Sequence, residues 1–152
     1  MKNTTLVYLE KEGKYLMLLR NRKENDENQG KWIGVGGKFE EGESPVDCMR
    51  RETFEETGLS VTDYRFRGIV TFVSDLYGTE YMYLFTAAGF EGHLKDCEEG
   101  ELHWIDKRKV PDLDLWEGDR IFLRKLAEDE PFFLLKLVYR GDELIEVEEQ
   151  PI

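Results

Sequence analysis

Residues 36–59 read GGKFEEGESPVDCMRRETFEETGL, and both the fold and the chemistry of the chain turn on how this stretch is read. Helix markers bracket its middle. Ser44 suits an N-cap with Asp47 three residues on, Pro45 suits the first helical position, and Gly58 can close the end in a left-handed conformation. Together they predict a helix from Pro45 to Thr57. On a helix turning about 100° per residue, Glu52, Glu55 and Glu56 fall within an arc of about 100°, with Arg51 at its edge. Val46, Met49, Thr53 and Phe54 form a mostly apolar stripe opposite, so the helix is expected to dock through them and to point its glutamates away from the core.

Most charge runs are solvated faces laced with salt bridges. That explanation fits poorly here, because Glu52 and Glu56 are like charges at i,i+4, a spacing that costs a few tenths of a kcal/mol, about what a favourable pair gains. A hard divalent cation removes the conflict, since Mg²⁺ prefers carboxylate oxygen and water and commonly bridges one or two carboxylates to substrate phosphates. The spacing therefore predicts three acids turned toward one point and joined there by a divalent ion.

Upstream, TTLVYLE and KYLMLLR flank Lys11-Glu12-Gly13 and read as a hairpin, followed by NRKENDENQGK as an exposed polar loop. Downstream come two long β segments, DYRFRGIVTFVSD and TEYMYLFTAAGF, joined near Tyr77-Gly78, and a short strand at LHWI. A second helix is expected from Asp119 to Glu128, then a terminal pair, FFLLKLVYR and ELIEVEE, turning at Gly141-Asp142. Strands outnumber helices and several run antiparallel, which predicts an α+β fold with helices packed on a mixed sheet. No repeat or linker divides the 152 residues, so one domain over 1–152 is expected.

Composition narrows the function classes. Hydrophobic residues make up 40% and charged residues 36%, a balance that supports a packed core. The formal charge of -12 leaves no basic field for a nucleic-acid polymer or an anionic membrane surface. A small phosphorylated substrate remains compatible, because bound divalent cations reverse the local field wherever acids cluster. Cys48 and Cys97 stand in unrelated contexts, and with only His93 and His103 beside them they make no zinc motif, so free thiols are expected. The opening MKNTTLVYLEKEGK has no signal-peptide core and no apolar run approaches the roughly 20 residues of a membrane span, so a cytoplasmic protein is expected, as monomer or homodimer.

Gly37, Glu43, Arg51-Glu52, Glu55-Glu56, Gly58 and Leu59 together resemble the Nudix box in residue type and spacing, the box running over 37–59. The one departure is Thr53, on the core side, where the family usually has an aliphatic residue. The resemblance implies an α/β/α sandwich of mixed and antiparallel sheet, and a hydrolase using Mg²⁺, with Mn²⁺ able to substitute. It implies that Glu52, Glu55 and Glu56 hold the metal, that Arg51 orients them, and that Glu55 or Glu56 is the general base. Gly36 joins the metal set, Gly37 gives the backbone room to approach the substrate, and Glu43 holds the loop. Lys38 can neutralise a phosphate or be merely exposed. Glu99, in DCEEGELHW, resembles an extra carboxylate that some relatives place near the metal, or is an ordinary residue of an acidic loop.

Outside the box, GKWIGVGGK, DLWEGD and PFFLLKLVYRGDEL look like the MutT-type branch, which acts on oxidised purine triphosphates such as 8-oxo-dGTP. Ile33 stands where that branch can have a purine-reading asparagine, and a pair of acids is reduced to Gly118-Asp119. Asp119 can accept hydrogen bonds from a purine edge or cap the second helix. Trp116 and Phe72 can supply stacking surface or core. The reading that follows is hydrolysis of an oxidised purine triphosphate to the monophosphate and pyrophosphate. Its alternatives are another nucleotide substrate, such as an unmodified dNTP, ADP-ribose or a dinucleoside polyphosphate, a nucleotide sensor without turnover, and a structural or partner-binding protein.

Overall fold

The signals around Ser44 act as the sequence predicts. The Ser44 hydroxyl accepts from the Asp47 N–H at 3.1 Å while the Asp47 carboxylate accepts from the Ser44 N–H at 3.0 Å, a reciprocal capping box. The helix α1 runs Pro45–Thr57 and stops at Gly58, whose φ of 80° brings its N–H to the Phe54 carbonyl at 2.9 Å. In the computed structural model, which describes residues 1–152, the strands are β1 (Lys2–Lys11), β2 (Lys14–Arg20), β3 (Trp32–Ile33), β4 (Val35–Lys38), β5 (Leu59–Ser74), β6 (Gly78–Gly92), β7 (Gly100–Asp106), β8 (Phe133–Arg140) and β9 (Glu143–Gln150). The second helix, α2, spans Glu117–Ala127 after a 3-10 turn at Val110–Asp112.

These strands make one mixed sheet in the order β3-β2-β1-β6-β5-β8-β9, with β4 on β1 and β7 on β2. Pairings β1–β6 and β5–β8 are parallel and the rest antiparallel. Met49 of α1 packs with Val7, Leu16, Val35 and Phe85 on one face, and Phe122, Leu123 and Leu126 of α2 pack with Leu6, Leu84, Leu135 and Leu137 on the other. Helix, sheet and helix thus form the expected α/β/α sandwich. No helix is long and apolar enough to cross a membrane.

Several local expectations change. The β1–β2 hairpin is real only at its turn, where Glu12 and Gly13 take the positive φ of a tight connection and Glu10 faces Tyr15. Beyond it the strands part, β1 pairing with β4 and β6 and β2 with β7. Strands β3 and β4 lie in a glycine-rich run with little strand propensity. Gly36 pairs with Leu6 so closely that a Cβ on it would collide with the Thr5 carbonyl, and cross-chain pairing overrides propensity.

On α1, Phe54 is 55% exposed, and Cys48 takes the inward place instead. Thr53 is fully buried, its hydroxyl bonded to the Met49 carbonyl at 2.7 Å, so the polar atom at this core position is satisfied. Both cysteines are free and buried.

Candidate active site

One cleft of about 680 Å³ opens on the α2 side of the sheet. It runs from the inner face of α1 to the start of α2, which is the size range of a nucleotide-sized ligand site.

The acidic end is built by α1, β4 and the segment before β7. Glu56 is 8% exposed, and its carboxylate accepts from the Gly36 N–H at 3.3 Å. Burial, with the charges of Glu99 and Glu52, lifts its carboxyl to about 9. Glu52, one turn earlier, is also raised by burial, against the opposing pull of Arg51. A Cβ at residue 37 would lie 2.5 Å from the Glu52 carboxyl carbon, so only glycine leaves room for that carboxylate. Glu99 reaches the same end, held by Arg20 at 3.0 Å and Lys23 at 2.8 Å.

Arg51 organises the rim. Its guanidinium donates to Glu43 at 2.7 and 3.0 Å, to Glu52 at 2.8 Å, to Glu55 at 3.1 Å and to the Lys38 carbonyl at 2.9 Å. Glu43 also accepts from the Glu40 N–H at 2.7 Å, and the paired arginine holds its carboxyl below the usual range. Arg51 therefore ties the loop before α1 to the helix itself.

The far end is aromatic. Phe72, Trp116 and Tyr139 line it with Met82, Trp116 standing edge-on to Tyr139 at 5.5 Å between ring centres. The Trp116 indole N–H donates to Asn28 at 2.9 Å, and Lys31 lies 5.2 Å over its ring. Asp119 is 5% exposed, and burial, reinforced by the charge of Glu80, lifts its carboxyl to about 8. Helix α2 begins at Glu117 with Trp116 as its N-cap and no side-chain cap bond, so the capping role open to Asp119 is not taken.

The NUDIX domain model matches residues 2–126, most of the chain. The chain belongs to the Nudix hydrolase family. It is 31% identical over 131 residues to an oxidized purine nucleoside triphosphate hydrolase of Danio rerio, covering 84% of this chain and 81% of that one. It is 32% identical over 124 residues to the uncharacterized Nudix hydrolase YvcI of Bacillus subtilis (strain 168), covering 78% and 75%. The crystal structure of a MutT protein from Bacillus halodurans superposes with a TM-score of 0.88 at 27% identity, covering 100% of this chain and 99% of that one.

Within this Nudix hydrolase the expected site residues divide into two groups. Gly36, Gly37, Lys38, Glu52, Glu56, Glu99, Ile33, Phe72, Trp116 and Asp119 all line the cleft. Arg51, Glu43 and Glu55 stand behind or beside it, Glu55 with a 56% exposed side chain turned to Arg51. The expectation of three helix acids meeting at one point is thus corrected: no ready-made cluster of three ligands is present, because Arg51 draws Glu55 outward while Glu56 turns into the protein instead of away from it.

The stretch read as an exposed polar loop is corrected too, since its half-buried Asp26, Glu27 and Asn28 wall the cleft and Asp26 binds Arg20 at 2.7 Å. Arg20, Glu80, Met82 and Tyr139 are cleft residues that sequence reasoning missed. The only signal for Tyr139 was its place in the PFFLLKLVYRGDEL similarity.

Proposed function

We propose that this Nudix hydrolase cleaves an oxidised purine nucleoside triphosphate, such as 8-oxo-dGTP, to the monophosphate and pyrophosphate, and that residues 1–152 form one Nudix domain. The observation carrying this is the continuity of the cleft, with a carboxylate-lined end and an aromatic end holding a buried acid. The similarity to an oxidized purine nucleoside triphosphate hydrolase supports the substrate class. Strands β8 and β9, beyond the matched region, extend the same sheet through β5, in keeping with one domain.

The donor set at the acidic end suits Mg²⁺, with Mn²⁺ able to replace it. Hard oxygens of Glu52, Glu56 and Glu99 line that end beside the Gly36 backbone, with no thiolate or imidazole among them, and a bound cation would draw them together. Glu56, buried beside two other acids with one backbone N–H for a partner, is the carboxylate with most to gain from a cation. When bound, Mg²⁺ offsets phosphate charge and acidifies a coordinated water.

The chain's own residues do the rest. Glu55 or Glu56 takes the proton from the attacking water, Arg51 keeps Glu52 and Glu55 in place, and Lys38 faces the phosphates. At the other end Trp116 and Phe72 offer faces to the base, and Asp119 offers its carboxyl to the base edge.

A nucleotide panel with separate detection of pyrophosphate and phosphate tests the reading. It expects 8-oxo-dGTP to be the fastest substrate and to release pyrophosphate. Much faster turnover of unmodified dNTPs, ADP-ribose or dinucleoside polyphosphates overturns the substrate claim. Nucleotide binding with no product in Mg²⁺ or Mn²⁺ overturns the catalytic claim.

A further inference from the structure

A second acid stands on the floor of the aromatic end, and sequence spacing gave no hint of it. The parallel register of β1 and β6 sets Lys2 beside Glu80 and Thr4 beside Met82. The antiparallel register of β5 and β6 sets Phe72 opposite Glu80 and Val70 opposite Met82. Side chains two apart on a strand share a face, so Glu80 points to the same side as Met82 and Leu84, into the cleft. It is held there. The Thr4 hydroxyl donates to one Glu80 oxygen at 2.7 Å, and the Lys2 ammonium lies 3.7 Å from the other while also reaching Glu27 at 3.0 Å.

The same carboxylate is the principal charge acting against ionisation of Asp119, so both acids sense one small volume. Ile33, the remaining cleft residue toward β3, adds no hydrogen-bonding group. Two carboxyl groups, Asp119 and Glu80, thus stand at the base end beside Asn28 and Tyr139, with Glu80 fixed as an acceptor by its two anchors.

Such an end distinguishes bases by where they carry N–H groups. Guanine presents N7 as an acceptor on its major-groove edge. Oxidation at C8 turns that nitrogen into an N–H donor. Set against a fixed carboxylate, the first arrangement opposes lone pairs and the second makes a charge-assisted hydrogen bond.

We propose that Glu80 is a specificity-determining residue of this enzyme, accepting a hydrogen bond from a base N–H that the unoxidised purine lacks. The proposal rests on the nucleotide reading above and names the group that makes the cleft prefer an oxidised base. Glu80 keeps its bonds to Thr4 and Lys2 with either base, so the discrimination comes from the lone-pair repulsion that the unoxidised purine meets and the charge-assisted bond that the oxidised one makes.

The test is calorimetric binding of 8-oxo-dGMP and dGMP in Mg²⁺ buffer, where both are monophosphates and neither is consumed. Wild type is compared with Glu80→Gln and Glu80→Leu, each checked by thermal melting. Wild type is expected to prefer 8-oxo-dGMP. In Glu80→Gln, whose amide can turn an N–H toward a lone pair, the preference should fall by about tenfold or more, with dGMP binding more tightly than before. Glu80→Leu should weaken 8-oxo-dGMP without helping dGMP, a pattern that a purely structural loss would not split. Equal affinities in wild type, no binding of either monophosphate, or an unchanged ratio in Glu80→Gln overturns the proposal. A Glu80-dependent ratio in a protein that hydrolyses none of the triphosphates upholds it and counts against the hydrolytic reading alone.

Discussion

The backbone N–H of Gly118 donates to the Tyr139 hydroxyl at 2.7 Å, and a Cβ added at residue 118 would stand 2.7 Å from that same oxygen and 2.6 Å from Leu137 Cδ1. The first turn of α2 is thereby seated on β8, and the seat accepts only glycine.

Gly118→Ala should overpack the seat and cost about 1–3 kcal/mol. Tyr139→Phe should leave the buried Gly118 N–H unpaired and cost about 1–3 kcal/mol. Because both act on one contact, the double variant should lose less than the sum of the two, which thermal melts of the four proteins will measure.

Gly37 and Glu52 form a second pair in which glycine makes room for function. Gly37→Ala should push the Glu52 carboxylate aside. The clash is with the end of a flexible side chain, so the melting temperature should change little. Turnover should fall by about 100-fold, in line with what a displacement near 1 Å costs a catalytic group. Steady-state kinetics beside a melting curve separate the two effects, and unchanged turnover would remove Glu52 from the proposed machinery.

Metal uptake should be visible without catalysis. Saturating Mg²⁺ should raise the melting temperature of the wild type, by the equivalent of about 2.7 kcal/mol at a hundred times Kd. Glu56→Gln should relieve the crowding of buried acids and melt higher than wild type in EDTA, yet gain little from Mg²⁺. A thermal-shift titration of both proteins decides this, and an equal Mg²⁺ response in the two would exclude Glu56 as a ligand.

Asp119 should make stability depend on pH. Its carboxyl, near 3.8 when unfolded, is pushed up to about 8 in the fold, so the native state binds the proton more tightly than the unfolded chain does. Its contribution is complete below pH 3.8 and is lost as pH rises to about 8. Asp119→Asn, which keeps the shape of the neutral carboxyl, should melt close to wild type near pH 4 and increasingly above it toward pH 8. Scanning calorimetry at several pH values measures the gap. A gap that stays constant with pH would show that Asp119 ionises freely.

Much of the fold was legible because its signals are local. Ser44, Pro45, Asp47 and Gly58 define α1 through contacts within a few residues, and the turns at Gly13 and Gly141 set two hairpin connections in the same way. The strands β3 and β4 were not legible, since residues such as Gly36 have no strand preference of their own and are strands only because β1 and β2 lie beside them. The site divides along the same line. The acids of α1 could be placed on one face from helical periodicity alone, but which of them enters the cleft depends on Arg51, which meets Glu43 and Lys38 across a loop.

The sequence by itself determined the family and the helix that carries its acids, because the capping residues and the spacing of the motif act within a few residues of one another. Only the tertiary structure decided that Glu56 is buried, that Glu99 joins it, and that Glu80 faces the same volume as Asp119. The first depends on the pairing of β4 with β1, which brings Gly36 to Glu56, the second on that of β7 with β2, and the third on the registers of β6 with β1 and β5, where Lys2 meets Glu80 from 78 positions away. Their environments, and hence their charges, exist only once those strands have paired.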